Sequence, residues 1–193
     1  MELIIASNNK HKIREIKEIL GERFDGIRSL SEAGIAHETV EDGKTFLENA
    51  YKKASEIAKI SGTAALADDS GICVDALDGA PGIYSARFAG DNIVHSVDED
   101  NNALLLKKLE GKENRGAHYT AAVVIVYPDG TSVSAEGHLF GRITESPRGT
   151  GGFGYDPLFI PDGETRTVAE MSEEEKNRIS HRARALEAIL KKL

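Results

Sequence analysis

ALADDSGICV, residues 65–74, joins a short apolar run to two adjacent carboxylates, a hydroxyl and a glycine. This order predicts a strand that brings Asp68 and Asp69 to the rim of a sheet. Adjacent like charges repel most strongly at low dielectric, so an ionised pair needs a cation or hydrogen-bond donors. A divalent cation with oxygen ligands meets this need. Taken by itself, Asp-Asp-Ser-Gly is also typical of an ordinary turn at the end of a strand.

The composition excludes several classes of function. With 193 residues, 40% hydrophobic and 29% charged, the chain is typical of a globular protein, and we expect one domain over residues 1–193. The net charge of -8 argues against nonspecific binding to nucleic acid or to an anionic membrane. The single Cys73 excludes an intrachain disulfide. The first residues do not resemble a signal peptide and no apolar run is long enough to span a membrane, so we expect a cytoplasmic protein.

The first α/β unit contains a polar turn that suits an anion. Residues 3–6 predict a buried strand, and Ile13, Ile16 and Ile19 mark one face of a helix that ends at Gly21. The turn SNNKHK, residues 7–12, places backbone N–H groups and two lysines at the start of that helix. This turn either binds a phosphate or only caps the helix.

Acidic residues precede the next predicted helix, which runs to about residue 60. Thr45 and Glu48 have the spacing of a capping box at its start. Asn49 and Lys53 are four residues apart and therefore share one face of the helix. The acids at positions 38, 41 and 42 either favour the helix N terminus electrostatically or supply a second carboxylate to a metal held by Asp69.

The rest of the chain predicts a mixed sheet and a glycine-rich loop. Residues 119–127 and 131–136 predict an antiparallel hairpin, and residues 139–143 continue the sheet. The stretch PRGTGGFGYDP, residues 147–157, either brings backbone and aromatic rings close to a ligand or forms a flexible lid. Near the C terminus, a break at Ser180 would let a new helix begin with His181 and Arg182.

The chain resembles the inosine triphosphate pyrophosphatase family of Ham1-like proteins. The resemblance rests on six segments in the family's order, which are residues 7–12, 45–50, 67–71, 79–87, 152–157 and 180–183. It implies a mixed-sheet α/β fold with flanking helices, two lobes around a central cleft, and a homodimer. It also implies Mg²⁺-dependent hydrolysis of the α–β phosphoanhydride of non-standard purine nucleotides such as ITP, dITP and XTP. The products would be the monophosphate and pyrophosphate, so that the reaction cleanses the nucleotide pool.

The resemblance also implies roles for individual residues. Asp69 would ligate the metal and act as the base, with Ser70 beside it, and Glu41 would be the second metal ligand, with Glu38 as its rival. The residues that would hold the phosphates are Ser7, Asn8, Asn9, Lys10, His11, Lys12 and Lys53. The residues that would enclose the base and sugar are Phe153, Gly154, Tyr155, Asp156, Lys176, His181 and Arg182. Where the family commonly has Thr-Gly, this chain has Ser7 and Asn8, so we expect a slightly altered turn.

Two other functions remain open on the sequence alone. A metal-dependent phosphomonoesterase would release orthophosphate instead of pyrophosphate, and a nucleotide sensor would tolerate the loss of Asp69. Paired acids beside a basic turn favour catalysis, because a protein that only binds phosphate has little use for carboxylates. A 6-oxo group accepts a hydrogen bond where the 6-amino group of adenine donates one, so donors from His181, Arg182 or the backbone would select the base.

Overall fold

The computed structural model describes residues 1–21, 23–90 and 93–193. The fold is α/β, and within these residues the sheet has six strands in the order β2-β1-β3-β4-β5-β6. The strands are β1 (Glu2–Ile5), β2 (Gly26–Ser29), β3 (Ala64–Val74), β4 (Gly116–Val126), β5 (Ser132–Ile143) and β6 (Phe159–Pro161). The helices are α1 (Lys10–Leu20), α2 (Phe46–Ser61), α3 (Val97–Lys108), α4 (Glu173–Ile179) and α5 (His181–Leu190).

The sheet is mixed, as predicted. Strand β1 is parallel to both β2 and β3, whereas β5 is antiparallel to β6. Strands β4 and β5 are neighbours and form the predicted hairpin, whose turn is closed by a hydrogen bond from the Tyr127 N–H to the Thr131 carbonyl. The sheet therefore combines parallel strands from the first half of the chain with a hairpin from the second half.

The chain divides into two compact units. The first, called unit 1, comprises Met1–Asp69, Ala121–Gly137 and His181–Leu193. The second, called unit 2, comprises Ser70–Thr120 and His138–Ser180. The boundary between them falls within β3, directly after Asp69, so the two halves of the ADDSG segment belong to different units.

Unit 1 has a hydrophobic core on each face of its strands, because successive side chains of a strand point to opposite faces. Leu3 and Ile5 of β1 pack in one core with residues of α1 and α5, whereas Ile4 packs in the other with residues of α2. The same alternation puts Leu66 of β3 in the first core and Ala67 in the second. Burial on both faces explains why these strands are continuous apolar runs in the sequence.

The hydrophobic core of unit 2 is formed by strands of the sheet together with helix α3. Ile72 from β3 and Tyr119 from β4 pack there against Leu105 of α3 and Phe159 of β6. The Tyr119 and Phe159 rings lie 4.8 Å apart between centroids. Helix α3 is thus fixed to the strands of this unit by its apolar side.

Helix ends follow the predicted signals in most places. The Asn9 side chain caps α1 and Gly21 ends it with φ of 53°. Thr45 caps α2, but the Glu48 carboxylate accepts from the Lys44 N–H and not from the Thr45 N–H, so only half of the predicted capping box is formed. The predicted break at Ser180 is confirmed, since α4 ends at Ile179 and α5 begins at His181.

The prediction that the strand brings Asp68 and Asp69 to the rim of the sheet, at its end, was wrong. Strand β3 runs on through Asp68, Asp69, Ser70 and Gly71 to Val74, so the two acids lie in the middle of an 11-residue strand. Gly71 allows this because its backbone packs directly against the segment that holds Ser85. The Ser85 hydroxyl accepts from the Ile72 N–H at 2.9 Å and donates to the Gly82 carbonyl at 2.6 Å.

Within the described residues, no helix is long and apolar enough to cross a membrane.

We expect Gly71→Ala to destabilise unit 2. A Cβ at this position would lie 2.4 Å from both the Gly82 carbonyl oxygen and the Ser85 Oγ. Overpacking of this kind costs about 1–3 kcal/mol in the free energy of unfolding, which urea denaturation measures. The control is Gly26→Ala in β2, where the Cβ would meet nothing closer than 3.9 Å. Equal unfolding midpoints for the two variants would contradict the close packing at Gly71.

Candidate active site

Asp69 points to the α2 face of β3, where it meets the face of α2 that the sequence predicted. The Asn49 Nδ2 donates to Asp69 Oδ2 at 3.2 Å, and the Lys53 Nζ lies 3.3 Å from Asp69 Oδ1. Asn49 and Lys53 are one helical turn apart, so both reach the same carboxylate. Asp69 is only 6% exposed. Burial raises its pKa to about 6, although the nearby Lys53 and Lys12 act in the opposite direction.

Lys53 lies between two carboxylates of unit 1. Its Nζ is 3.3 Å from Glu41 Oε2 and 3.3 Å from Asp69 Oδ1, and it donates to the Asp68 carbonyl at 3.0 Å. Burial alone would lower the pKa of Lys53, but Asp69 and Glu41 outweigh it and raise that pKa. Glu41 is half-buried and Glu38 is exposed. Of the two rival acids, Glu41 is therefore the one that shares a cation with Asp69.

Asp68 points to the opposite face of β3, toward α1 and α5. Its Oδ1 is 2.7 Å from the Lys12 Nζ and 3.3 Å from the Arg182 guanidinium. Arg182 also binds Glu15, and both Asp68 and Arg182 are 1% exposed. Burial would raise the pKa of Asp68, but Arg182 and Lys12 hold it well below its usual range. These four side chains form a buried charge network, which we call the Asp68 network.

The polar turn of residues 7–12 caps the N terminus of α1 with its own side chains. The Asn9 side chain accepts from the N–H groups of His11 and Lys12, at 3.0 and 3.2 Å. Two of the N–H groups predicted for a phosphate are thus bonded to the cap. Ser7 Oγ accepts from the Asn9 N–H, and Asn8 donates weakly to the His37 carbonyl at 3.4 Å. Lys10 and His11 are exposed, whereas Lys12 belongs to the Asp68 network.

A second polar cluster lies in unit 2, around Asp156. This buried carboxylate accepts from the Tyr119 hydroxyl at 3.1 Å, the Phe153 N–H at 3.1 Å and the Lys176 Nζ at 2.9 Å. Lys176 Nζ also lies 4.4 Å from the centroid of the Phe153 ring, a cation–π distance. Phe153, Asp156 and Lys176, all predicted to enclose the base, are therefore in contact with one another. We call them the Asp156 cluster, together with Tyr119.

The other predicted residues are distributed between the units. Tyr155 is buried in unit 2, and its hydroxyl donates to the Ser85 carbonyl at 2.6 Å. Gly154 has φ of 60° in the same loop, and Ser70 follows Asp69 in β3. His181 is buried at the start of α5 in unit 1. The roles of all these residues toward a substrate stay predictions.

Four residues of these clusters had no assigned role in the sequence. Glu15 follows Lys12 by three positions in α1, a spacing that places both on one helix face and could have predicted their shared network. Asp68 was noticed only as a neighbour of Asp69, although strand alternation alone sends the two to different faces. Asn49 was placed beside Lys53 without a function. Tyr119 carries no local signal, because its partner Asp156 is 37 residues away in the sequence.

The residues present are suited to a magnesium ion that also binds phosphate. No group of three or more His, Cys, Asp or Glu side chains able to hold a metal occurs in the part of the chain that the structure describes. Mg²⁺ does not require such a cage, since it is commonly held by one or two carboxylates together with substrate phosphates. Glu41 and Asp69 supply two carboxylates that already share one cation, Lys53. Their donor chemistry therefore fits the ion.

Arg182→Ala should strongly destabilise unit 1. The change would leave the buried carboxylates of Glu15 and Asp68 without their shared guanidinium, and breaking a buried ion pair typically costs about 3–5 kcal/mol. Urea denaturation measures the loss. The control is Arg178→Ala, which removes an exposed arginine paired with Glu174 in α4 and should change stability little. A small effect of Arg182→Ala would show that the Asp68 network does not support the fold.

Comparison with known proteins agrees with the resemblance found in the sequence. The Ham1 family model matches residues 3–192. The dITP/XTP pyrophosphatase of Geobacter sulfurreducens is 51% identical over 191 residues, covering 98% of this chain and 94% of that protein. The protein of the same name from Desulfotalea psychrophila is 49% identical over 97% of this chain and 82% of its own length.

Two solved structures are similar along the whole chain. The Staphylococcus aureus Ham1 protein has a TM-score of 0.86 and 39% identity, covering 100% of this chain and 99% of that one. A HAM1 protein from Coxiella burnetii has a TM-score of 0.88 and 36% identity, with 100% of both chains covered. The chain therefore belongs to the Ham1 family.

Proposed function

We propose that this protein hydrolyses non-standard purine nucleoside triphosphates, such as dITP, ITP and XTP, to the monophosphate and pyrophosphate. The observation that carries the proposal is the position of Asp69, a buried carboxylate that contacts Lys53 and Asn49 and shares Lys53 with Glu41. The names of the relatives supply the substrate class. Water adds across the bridging P–O bond between the α and β phosphates, so that the pyrophosphate leaves as an anion.

In this proposal, the residues of unit 1 act on the triphosphate. Lys12 and Lys53 supply positive charge for the phosphate oxygens, whose negative charge increases as the bond breaks. Asp69 accepts the proton of the attacking water. Asn49 donates to the Asp69 Oδ2 and thereby fixes the orientation of that carboxylate. The Ser7–Lys12 turn lies at the N terminus of α1, where the helix dipole favours an anion.

The proposal includes Mg²⁺, held by Glu41 and Asp69. When bound there, the ion would supply positive charge to the phosphates and would lower the pKa of the attacking water. Lys53 lies beside both carboxylates and could then turn its ammonium toward the phosphates, because its four-carbon stem is flexible.

The Asp156 cluster of unit 2 is proposed to recognise the base. The Lys176 ammonium donates hydrogen bonds and accepts none, so it can pair with a 6-oxo group but not with a 6-amino group. A donor that faces a donor is left unpaired, and such a mismatch can reduce kcat/KM by about 10⁴-fold or more. The Phe153 ring supplies an apolar face for the purine. His181 and Arg182 are further proposed contacts for the base and sugar. We also propose that the enzyme is a cytoplasmic homodimer.

Asp69→Asn should abolish most turnover while preserving the fold. The amide keeps the size of the side chain but cannot accept the proton of water, and loss of a general base typically costs about 10²–10⁴-fold in rate. Pyrophosphate release from ITP and from ATP, with Mg²⁺ and with a chelator, measures the effect and the base preference together. The control is Asp78→Asn, an exposed turn residue with φ of 52°, a conformation that Asn also tolerates.

Each alternative function gives a different result in that assay. Near-normal turnover of Asp69→Asn would contradict its role as base. Orthophosphate without pyrophosphate would indicate a phosphomonoesterase, and nucleotide binding without any product would indicate a sensor. Equal activity with and without chelator would remove Mg²⁺ from the proposal.

The pH dependence of kcat/KM should report Asp69. The base acts only when ionised, and burial raises its pKa to about 6. At limiting Mg²⁺, kcat/KM is therefore expected to fall about tenfold per pH unit well below that pKa and to level off above it. Saturating Mg²⁺ should move the fall to lower pH, because a bound cation favours the charged carboxylate. If the fall of kcat/KM at low pH occurs at the same pH with and without saturating Mg²⁺, a metal contact at Asp69 is contradicted.

A further inference from the structure

Helix α3 holds one residue of the glycine-rich loop by both of its backbone polar groups. The Gly154 N–H donates to Asp98 Oδ2 at 2.8 Å, and the Gly154 carbonyl accepts from Asn102 Nδ2 at 3.1 Å. Asp98 and Asn102 are four residues apart, so they lie on the same face of the helix. We call this pair the Gly154 bracket.

The bracket acts at the centre of the segment that carries the Asp156 cluster. The N–H belongs to the peptide that follows Phe153, and the carbonyl belongs to the peptide that precedes Tyr155. Two successive peptide planes are therefore fixed in orientation, with Gly154 itself at φ of 60°. On the other side of the loop, the Phe153 N–H donates to Asp156 Oδ2 at 3.1 Å. The direction of the Phe153 ring thus depends on both sets of contacts.

Helix α3 is a firm support for such a bracket. Leu105 in its C-terminal half and Leu109, which caps its C terminus, are fully buried in the core of unit 2. Asn101, next to Asn102, accepts from the Ala89 N–H at 2.7 Å and donates to the carbonyls of Ser85 and Ala86 at 3.3 Å. A helix held in this way can transmit its position to the loop.

The bracket also contains an acceptor to which none of the described residues donates. Asn102 is 8% exposed, and its Oδ1 has no hydrogen-bond partner among the residues that the structure describes. Buried side-chain oxygens are normally bonded to protein or to ordered water. This oxygen leaves a place beside the loop for one further donor.

We propose that Asp98 and Asn102 are positioning residues for the nucleobase, which fix the loop so that Phe153 and Asp156 are preorganised before the base arrives. This inference rests on the proposed function, because it assumes that the Asp156 cluster binds a purine. Neither residue takes part in proton transfer or in contacts with the triphosphate. Their loss should therefore weaken base binding and leave the chemical step nearly unchanged.

Two reciprocal substitutions of almost equal shape test the proposal. Asp98→Asn keeps an acceptor for the Gly154 N–H, whereas Asn102→Asp replaces the donor with an oxygen that faces the Gly154 carbonyl. We expect KM for ITP and the Kd for inosine monophosphate to rise about tenfold or more in Asn102→Asp, the scale of one lost hydrogen bond with repulsion. In Asp98→Asn, both constants should stay within about threefold of those of the unchanged protein. In Asp98→Ala, both should rise about fivefold.

Inorganic tripolyphosphate serves as a probe that has no base. Its inhibition constant should be the same in every variant, and kcat should change by less than about threefold. Lys107→Ala, on the exposed side of α3, is the matched control and should leave all constants unchanged. Thermal unfolding identifies any variant that is not folded, in which case Asp98→Ala, at an exposed position, carries the test.

The outcomes separate the two proposals. Unchanged binding of inosine monophosphate in both Asn102→Asp and Asp98→Ala would overturn the positioning role. An equal loss of affinity for tripolyphosphate and for ITP would overturn it as well. If the unchanged protein neither binds inosine monophosphate nor hydrolyses ITP, the proposed function itself fails, and the positioning role fails with it.

Discussion

The alternation of side chains along β3 determines how this protein can use two adjacent aspartates. Successive residues of a strand face opposite sides, so Asp68 and Asp69 do not compete for one cation. Asp68 meets Lys12 and Arg182 on the side of α1 and α5, and its pKa is lowered because these cations outweigh its burial. Asp69 meets Lys53 and Asn49 on the side of α2, and there burial prevails and raises its pKa. One acid is thereby held in a buried ion pair, and its neighbour is the carboxylate that we propose as the base.

The polar clusters of the two units share a physical pattern, although their proposed tasks differ. In each, a buried carboxylate accepts hydrogen bonds from a lysine and from neutral donors. Around Asp69 the donors come from α2, and around Asp156 they come from Tyr119 and from the loop itself. Because a buried charge costs free energy unless it is paired, each buried carboxylate has few alternative positions. This rigidity suits a site that must present fixed groups to a substrate.

The local elements around the site follow from the sequence, whereas contacts between distant segments do not. Capping residues and helical spacing predicted the start of α1, the shared face of Asn49 and Lys53, and the break at Ser180. The course of β3 beyond Asp69 could not be predicted, because it depends on the packing of Gly71 against Gly82 and Ser85. Likewise, no local pattern shows that Tyr119 bonds Asp156 or that Arg182 is held by Glu15. These contacts arise only when strands and helices that are far apart in the chain pack together.

The measurement that separates this account from its alternatives most directly is a ³¹P NMR time course of ITP with the purified protein and Mg²⁺. The account predicts that inosine monophosphate and pyrophosphate appear in equal amounts as ITP disappears, with ATP consumed far more slowly. The appearance of inosine diphosphate with orthophosphate would contradict it, because the bond broken would then be the one between the β and γ phosphates.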